Sequence, residues 1–235
     1  MNSIDDKNIS LNEEEHIYSL DNSNIQFTSV TTYISDFFEK FDQLKIANKL
    51  IKTSMKYAHR TLEDIIADWD KSRDYGTLVH KQIEDHFNGV AEASDVKAKH
   101  GVRWLNEFIQ GRECDVHVEK IIFSEDLKLA GTMDVLIRLK DTDEYIIIDW
   151  KTNKKIDKRS FRNKMGTHPI TSNIEDCKYN VYAFQLSLYR YILETYYNLK
   201  IKQQIIAHID DSSVKAYLPP YHRGHMEAIT SLRKG

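Results

Sequence analysis

Asp149 and Lys151 stand two residues apart in the run "YIIIDWKTNKK" (145–155), where three isoleucines lead directly into charged residues. In an extended chain that spacing sends both side chains to the same face. A carboxylate and an ammonium together at the end of an apolar strand are either an ordinary strand end or one half of a cation site. The D-x-K spacing itself is uninformative, because it also occurs at Asp95/Lys97, Asp126/Lys128 and Asp176/Lys178. Only Asp149/Lys151 closes a strongly apolar strand that follows another strand; Asp126/Lys128 falls where a turn is expected.

"MDVLIRLK" (133–140) and "EYIIIDWK" (144–151) are joined by "DTD" and read as a hairpin. A turn centred between Asp141 and Thr142 places Asp134 opposite Asp149, with Cβ atoms about 4.5–5.5 Å apart. Opposed carboxylates destabilise a sheet unless a cation lies between them or one is protonated. Oxygen ligands from two aspartates suit Mg²⁺ or Mn²⁺ rather than zinc. With Lys151 to hold or help deprotonate a water and to offset phosphate charge, the chemistry would be in-line displacement at phosphorus. A purely structural hairpin fits the same residues.

The elements that must position this hairpin follow from periodicity. Val30, Ile34, Phe37, Phe38, Phe41 and Leu44 share one face of a helix capped by Ser29 or Thr28. A short hairpin from "HIYSL" and "NIQFTS" precedes it, after a polar tail. Thr61 opens "TLEDIIADW" with a capping-box pattern, and Val79, Ile83 and Phe87 form a stripe on a further helix over 72–88, with His80 and Glu84 along its edge. "SDVKAKHGVRWLNEFIQG" (94–111) is another helix, closed by Gly111. Three strands follow in the regions 115–126, 127–140 and 144–152, then a helix near 176–199, two strands ("QQIIAHID", "VKAYLPP") and a terminal helix after His222. Helices, an antiparallel meander, a helix, strands and a helix make an α/β (α+β) domain with a central mixed sheet flanked by helices.

Composition narrows the function classes. A chain of 235 residues can bury a substantial core, arranged as an N-terminal elaboration (1–70) and a core (71–235). The acidic, polar start reads as neither a signal nor a transit peptide, which with the absence of a long apolar run predicts a cytoplasmic protein without membrane partners. Cys114 and Cys177 lack CxxC spacing, which excludes a zinc ribbon or a disulfide framework within the chain. Net charge is −3, yet 151–164 carries seven Lys/Arg against one Asp. In that strip Lys154, Lys155, Lys158, Arg159 and Arg162 are candidates for holding phosphates.

"GTMD" (131–134) followed by "IIIDWK" (146–151) resembles the core of PD-(D/E)XK nucleases. "GTLVHKQIE" (76–84) is similar to the helical histidine motif of their RecB-type branch, and "QLSLY" (185–189) to that branch's Q-x-x-x-Y motif. "FTSVTTYI" (27–34) is similar to the opening of mitochondrial-genome-maintenance and phage exonucleases. The resemblance implies a restriction-endonuclease-like core with an N-terminal helical elaboration. It implies that His80, Asp134, Asp149 and the carbonyl of Trp150 hold Mg²⁺ or Mn²⁺, and that Lys151 is the catalytic lysine. Gln185 and Tyr189 would line the site and touch the DNA or brace the lysine, with Glu84 and Glu119 at its edge. The iron–sulfur members of the branch need four cysteines, so no such cluster is expected from two.

The reading is a metal-dependent nuclease that acts as an exonuclease on DNA ends or single strands, alone or recruited by a recombination, replication or defence partner. Segment 151–164 and the N-terminal helices would wall the DNA channel, with affinity for the backbone and no sequence choice. The rivals are a structure- or sequence-specific endonuclease of the same fold, a non-catalytic nucleic-acid-binding module, and an unrelated domain with an accidental match.

Overall fold

A computed structural model describes residues 3–6 and 8–234. The other four, Met1, Asn2, Lys7 and Gly235, lie outside the description, three of them in the stretch read as a polar tail. Strand β1 (Ile9–Asn12) and strand β2 (Ile17–Leu20) form an antiparallel hairpin. The hairpin is therefore one strand earlier in the chain than the sequence suggests. "NIQFTS" supplies no partner for β2; its last two residues are β3 (Thr28–Ser29), which pairs in parallel with a distant strand.

Ser29 caps α1 (Val30–Ser35), its side chain accepting from the Thr32 amide. The predicted continuous helix stops there, and α2 (Gln43–Thr53) starts afresh from Asp42. The reason lies in packing: Val30, Ile34, Phe37 and Phe38 are buried, whereas Phe41 and Leu44 are exposed. The chain turns away once its apolar residues are seated, so the two outer members of the stripe never join the core. The two stretches 61–69 and 72–88 are one 26-residue helix, α3 (Leu62–Phe87), opened by a Thr61/Asp64 capping box. Helix α4 (Val96–Ile109) is capped by Asp95, and Gly111 beyond it sits at φ 74°, the left-handed conformation that suits glycine.

The sheet is built on β4 (Cys114–Ser124), β5 (Leu129–Leu139) and β6 (Glu144–Lys151), an antiparallel meander. Helix α5 (Lys178–Tyr196) crosses over to β7 (Lys200–Ile209), which pairs in parallel with β6; β8 (Val214–Tyr217) returns antiparallel, and α6 (Arg223–Ser231) closes the described chain. The order β3-β5-β6-β7-β8, with β4 also on β5, is a mixed sheet. Helices cover both faces, which is the restriction-endonuclease-like arrangement expected. Tyr145 and Ile147 pack with α1, α5 and α6, while Ile146, Ile148 and Trp150 pack with α3 and α4. That alternation puts Asp149 on the α5 side of β6. Among the described residues no helix is long and apolar enough to cross a membrane.

Candidate active site

Strands β5 and β6 adopt the expected register, with Val135 opposite Ile148 and Leu136 opposite Ile147. The next row would set Asp134 against Asp149, and there the ladder opens. The Trp150 amide donates to Asp134 Oδ2 at 2.6 Å, so a side chain holds the fork. Beyond it β3 takes the place of β6 beside β5, at Leu129 and Ala130. On the other edge of β5, Val118 pairs with Val135 and Lys120 with Met133, which places Glu119 in the row of Asp134. Glu119 has φ 48°, a left-handed conformation that a non-glycine residue adopts at a cost. Glu119 and Asp134 thus share a row, with Asp149 beside it across the opened ladder.

Helix α3 brings His80 to this row, its Nδ1 3.4 Å from Asp134 Oδ1. Close approach of the helix depends on Gly76, where a Cβ would come within 2.9 Å of Thr152 Oγ1. Ligand atoms of His80, Glu119 and Asp134 all lie within 4.8 Å of one another. Asp149 is set slightly apart: Lys151 Nζ is 2.6 Å from its Oδ2, and Gln185 donates to its Oδ1 at 3.2 Å. Tyr189, one turn further along α5, donates to the Thr132 carbonyl at 3.0 Å and so ties α5 to β5 beside Asp134. A Cβ at Gly131 would meet the Tyr189 ring at 2.6 Å, which explains why that strand position is bare.

The electrostatics have the character of a cation site. Burial, with Asp134 and Glu84 nearby, pushes the Glu119 carboxyl up to about 9. Burial and Asp134 raise Asp149 to about 6, against the opposing pull of Lys151. Asp134 itself is held below the usual carboxylate range: burial opposes this, but His80 and Lys151 outweigh it. The Asp149 and Asp134 carboxylates raise Lys151 despite its burial, so the ammonium stays protonated. Crowded, partly protonated carboxylates beside a histidine are what a divalent cation would relieve, since it would displace their protons. The donor set of imidazole and carboxylates fits such an ion.

These groups open into a cleft of about 780 Å³ that also reaches Glu84, Gln185 and Tyr189. Glu84 meets Lys81 at 2.9 Å on the rim. The Trp150 indole points away, buried edge-on against Trp104. The basic candidates do not all gather here. Lys154 lines an adjoining depression that includes Lys151. Lys155 pairs with Asp157 and Arg159 with Glu175. Lys158 lies over the Tyr179 and Tyr217 rings, and Arg162 over Phe161.

Two residues of consequence escaped the motif reading. Tyr182 places its ring 4.7 Å from Lys151 Nζ, and it stands three residues before Gln185, so helical spacing alone could have found it. His208 bonds through Nε2 to the Asn153 carbonyl and anchors the chain leaving β6; no local pattern marks it.

A fork of carboxylates with a lysine at its tip carries the groups that metal-supported hydrolysis would use. Comparison with protein families matches residues 97–218 to the PD-(D/E)XK nuclease superfamily. The chain belongs to that superfamily, which makes nucleic acid its substrate class. Among solved structures, the protein SSO0001 is similar at 12% identity, covering 91% of this chain and 76% of that one with a TM-score of 0.39. A protein from Eubacterium rectale named as a candidate exonuclease is similar at 11% identity, covering 90% and 78% of the respective chains with a TM-score of 0.36. No curated protein matches the chain.

Proposed function

We propose that the chain is a Mg²⁺- or Mn²⁺-dependent deoxyribonuclease of the RecB-type branch, acting as an exonuclease on DNA ends or single strands. The observation that carries the reading is the convergence of His80, Glu119, Asp134, Asp149 and Lys151 at the β5/β6 fork. His80, Asp134 and Asp149, joined by Glu119 and the Trp150 carbonyl, would hold the ion. A bound divalent cation would supply Lewis-acid polarisation of the phosphate and a water of lowered pKa.

The protein's own groups do the rest. Lys151, kept cationic by Asp149 and Asp134, offsets charge that develops on the phosphate oxygens and orients the attacking water. Gln185 fixes the Asp149 carboxylate by donating to Oδ1, leaving Oδ2 to the lysine. Tyr189 braces β5 against α5, so that Asp134 keeps its place when substrate enters. The strip 151–164 supplies backbone affinity independent of sequence.

The test is digestion of end-labelled single- and double-stranded DNA, linear and circular, with Mg²⁺, Mn²⁺ or EDTA, by wild type and Lys151→Ala. Metal-dependent loss of linear DNA by wild type alone supports the reading. Cutting of circles transfers the assignment to an endonuclease. A folded wild type that degrades nothing overturns the enzyme.

A further inference from the structure

We propose that a single nucleic-acid strand leaves the site along the face of segment 151–164, with Tyr182 and Phe161 serving as base-stacking platforms; this rests on the nuclease reading above. The cations of this one run are interleaved with rings. Lys151 Nζ lies 4.7 Å from the Tyr182 centroid, Lys158 Nζ 5.0 Å from Tyr179 and 4.9 Å from Tyr217, and the Arg162 guanidinium 5.2 Å from Phe161.

Phe161 is the outermost of these, 69% exposed at the tip of a single helical turn. The tip is held firmly. Glu175 accepts from both Arg159 and the Ser160 amide, Met165 bridges to Glu175, and Lys164 pairs with Glu39. Arg162 and Asn163 are both left-handed, at φ 59° and 53°, so the turn is shaped at some cost by its anchors. An apolar ring presented on a fixed, cationic tip is placed for contact rather than for packing.

The surface links that ring to the chemistry. One depression, of about 550 Å³, runs from Lys151 and Lys154 to Tyr182. A second, of about 310 Å³, runs from Tyr182 to Phe161 and Arg159. Tyr182 is the wall they share, so the two form one path away from the lysine. Alternating cations and ring faces match the alternating phosphates and bases of an unpaired strand. A duplex keeps its base faces stacked on one another and offers a ring only its edges and backbone, so the complementarity selects single strands.

The test places 2-aminopurine at successive positions of a single-stranded DNA and follows its emission on titration with wild type, Phe161→Ala and Phe161→Trp in EDTA, where no hydrolysis occurs. Quenching is expected at two separated positions with wild type and Phe161→Trp, and Phe161→Ala should lose the outer one while keeping the one at Tyr182. Affinity for the strand should fall about 5- to 150-fold in Phe161→Ala, the range for one lost base stack, with blunt-duplex affinity unmoved. Equal binding and quenching in all three proteins overturns the track, as does an equal loss on duplex. A wild type that binds no nucleic acid and degrades none with metal overturns the nuclease reading instead, which separates the two failures.

Discussion

Glu119→Gln tests the carboxylate row without reference to turnover. In the folded, metal-free protein Glu119 keeps its proton up to about 9, against an ordinary value of 4.5 when unfolded. Across that window the folded state binds the extra proton, so stability falls as pH rises. Asp149 contributes in the same direction, but only from its ordinary 3.8 up to about 6. Above pH 6 the remaining slope from carboxylates belongs to Glu119, at about 1.4 kcal/mol per pH unit. From pH 6 to 9 that is about 4 kcal/mol. For a domain of this size it lowers Tm by on the order of 10 °C. Burial beside Asp134 causes the shift, and glutamine keeps the shape while removing the proton. Melts followed by near-UV circular dichroism in EDTA at pH 5 to 9 should show wild type losing stability steeply above pH 6. Glu119→Gln should show a flatter limb. His80, which is raised above its usual value by Asp134 against the effect of burial, loses stabilisation with rising pH in both proteins, so the difference between them isolates Glu119. Identical slopes above pH 6 would refute the placement of Glu119 in the buried row. Stabilisation of wild type by added Mn²⁺ should grow with pH, because the ion displaces that proton.

Lys151→Ala should lower the hydrolysis rate about 10²- to 10³-fold, the usual loss for one group that offsets transition-state charge. Calorimetric titration of Mn²⁺ should show cation affinity kept; its loss would make the lysine a positioning group for Asp149. Gly131→Ala forces a methyl against the Tyr189 ring at 2.6 Å and should cost about 1–3 kcal/mol in urea denaturation. Adding Tyr189→Ala to it should relieve the clash, so the pair should be non-additive. Thr61→Ala removes the cap of α3 and should cost about 1 kcal/mol, with no change in Mn²⁺ affinity since His80 lies five turns from that end.

Much of this site is legible in the sequence because its pieces obey short periods. Strand alternation puts Asp149 and Lys151 on one face, and the short turn fixes the register that sets Val135 opposite Ile148, one residue from Asp134 and Asp149. The Ser29 and Thr61 caps are local, and both stand where the sequence predicts them. The breaks in pattern were harder to read. Phe41 and Leu44 continue the helical stripe, yet they stay exposed because the helix ends at Ser35 and the chain restarts at Gln43. Periodicity states what a segment could bury, and packing decides what it does bury.

The chain alone therefore determined the hairpin, its register and the chemistry of its residue types, since each depends on neighbours a few positions away. Tertiary structure alone decided that Glu119 belongs in the row with Asp134 and His80, that the ladder forks where Trp150 donates to a carboxylate, and that Tyr182 lies over Lys151. Those contacts join residues 15 to 54 positions apart on different elements. No local propensity encodes such meetings; they follow from how the helices of both layers settle on a twisted sheet, where burial of the whole apolar surface fixes the distances.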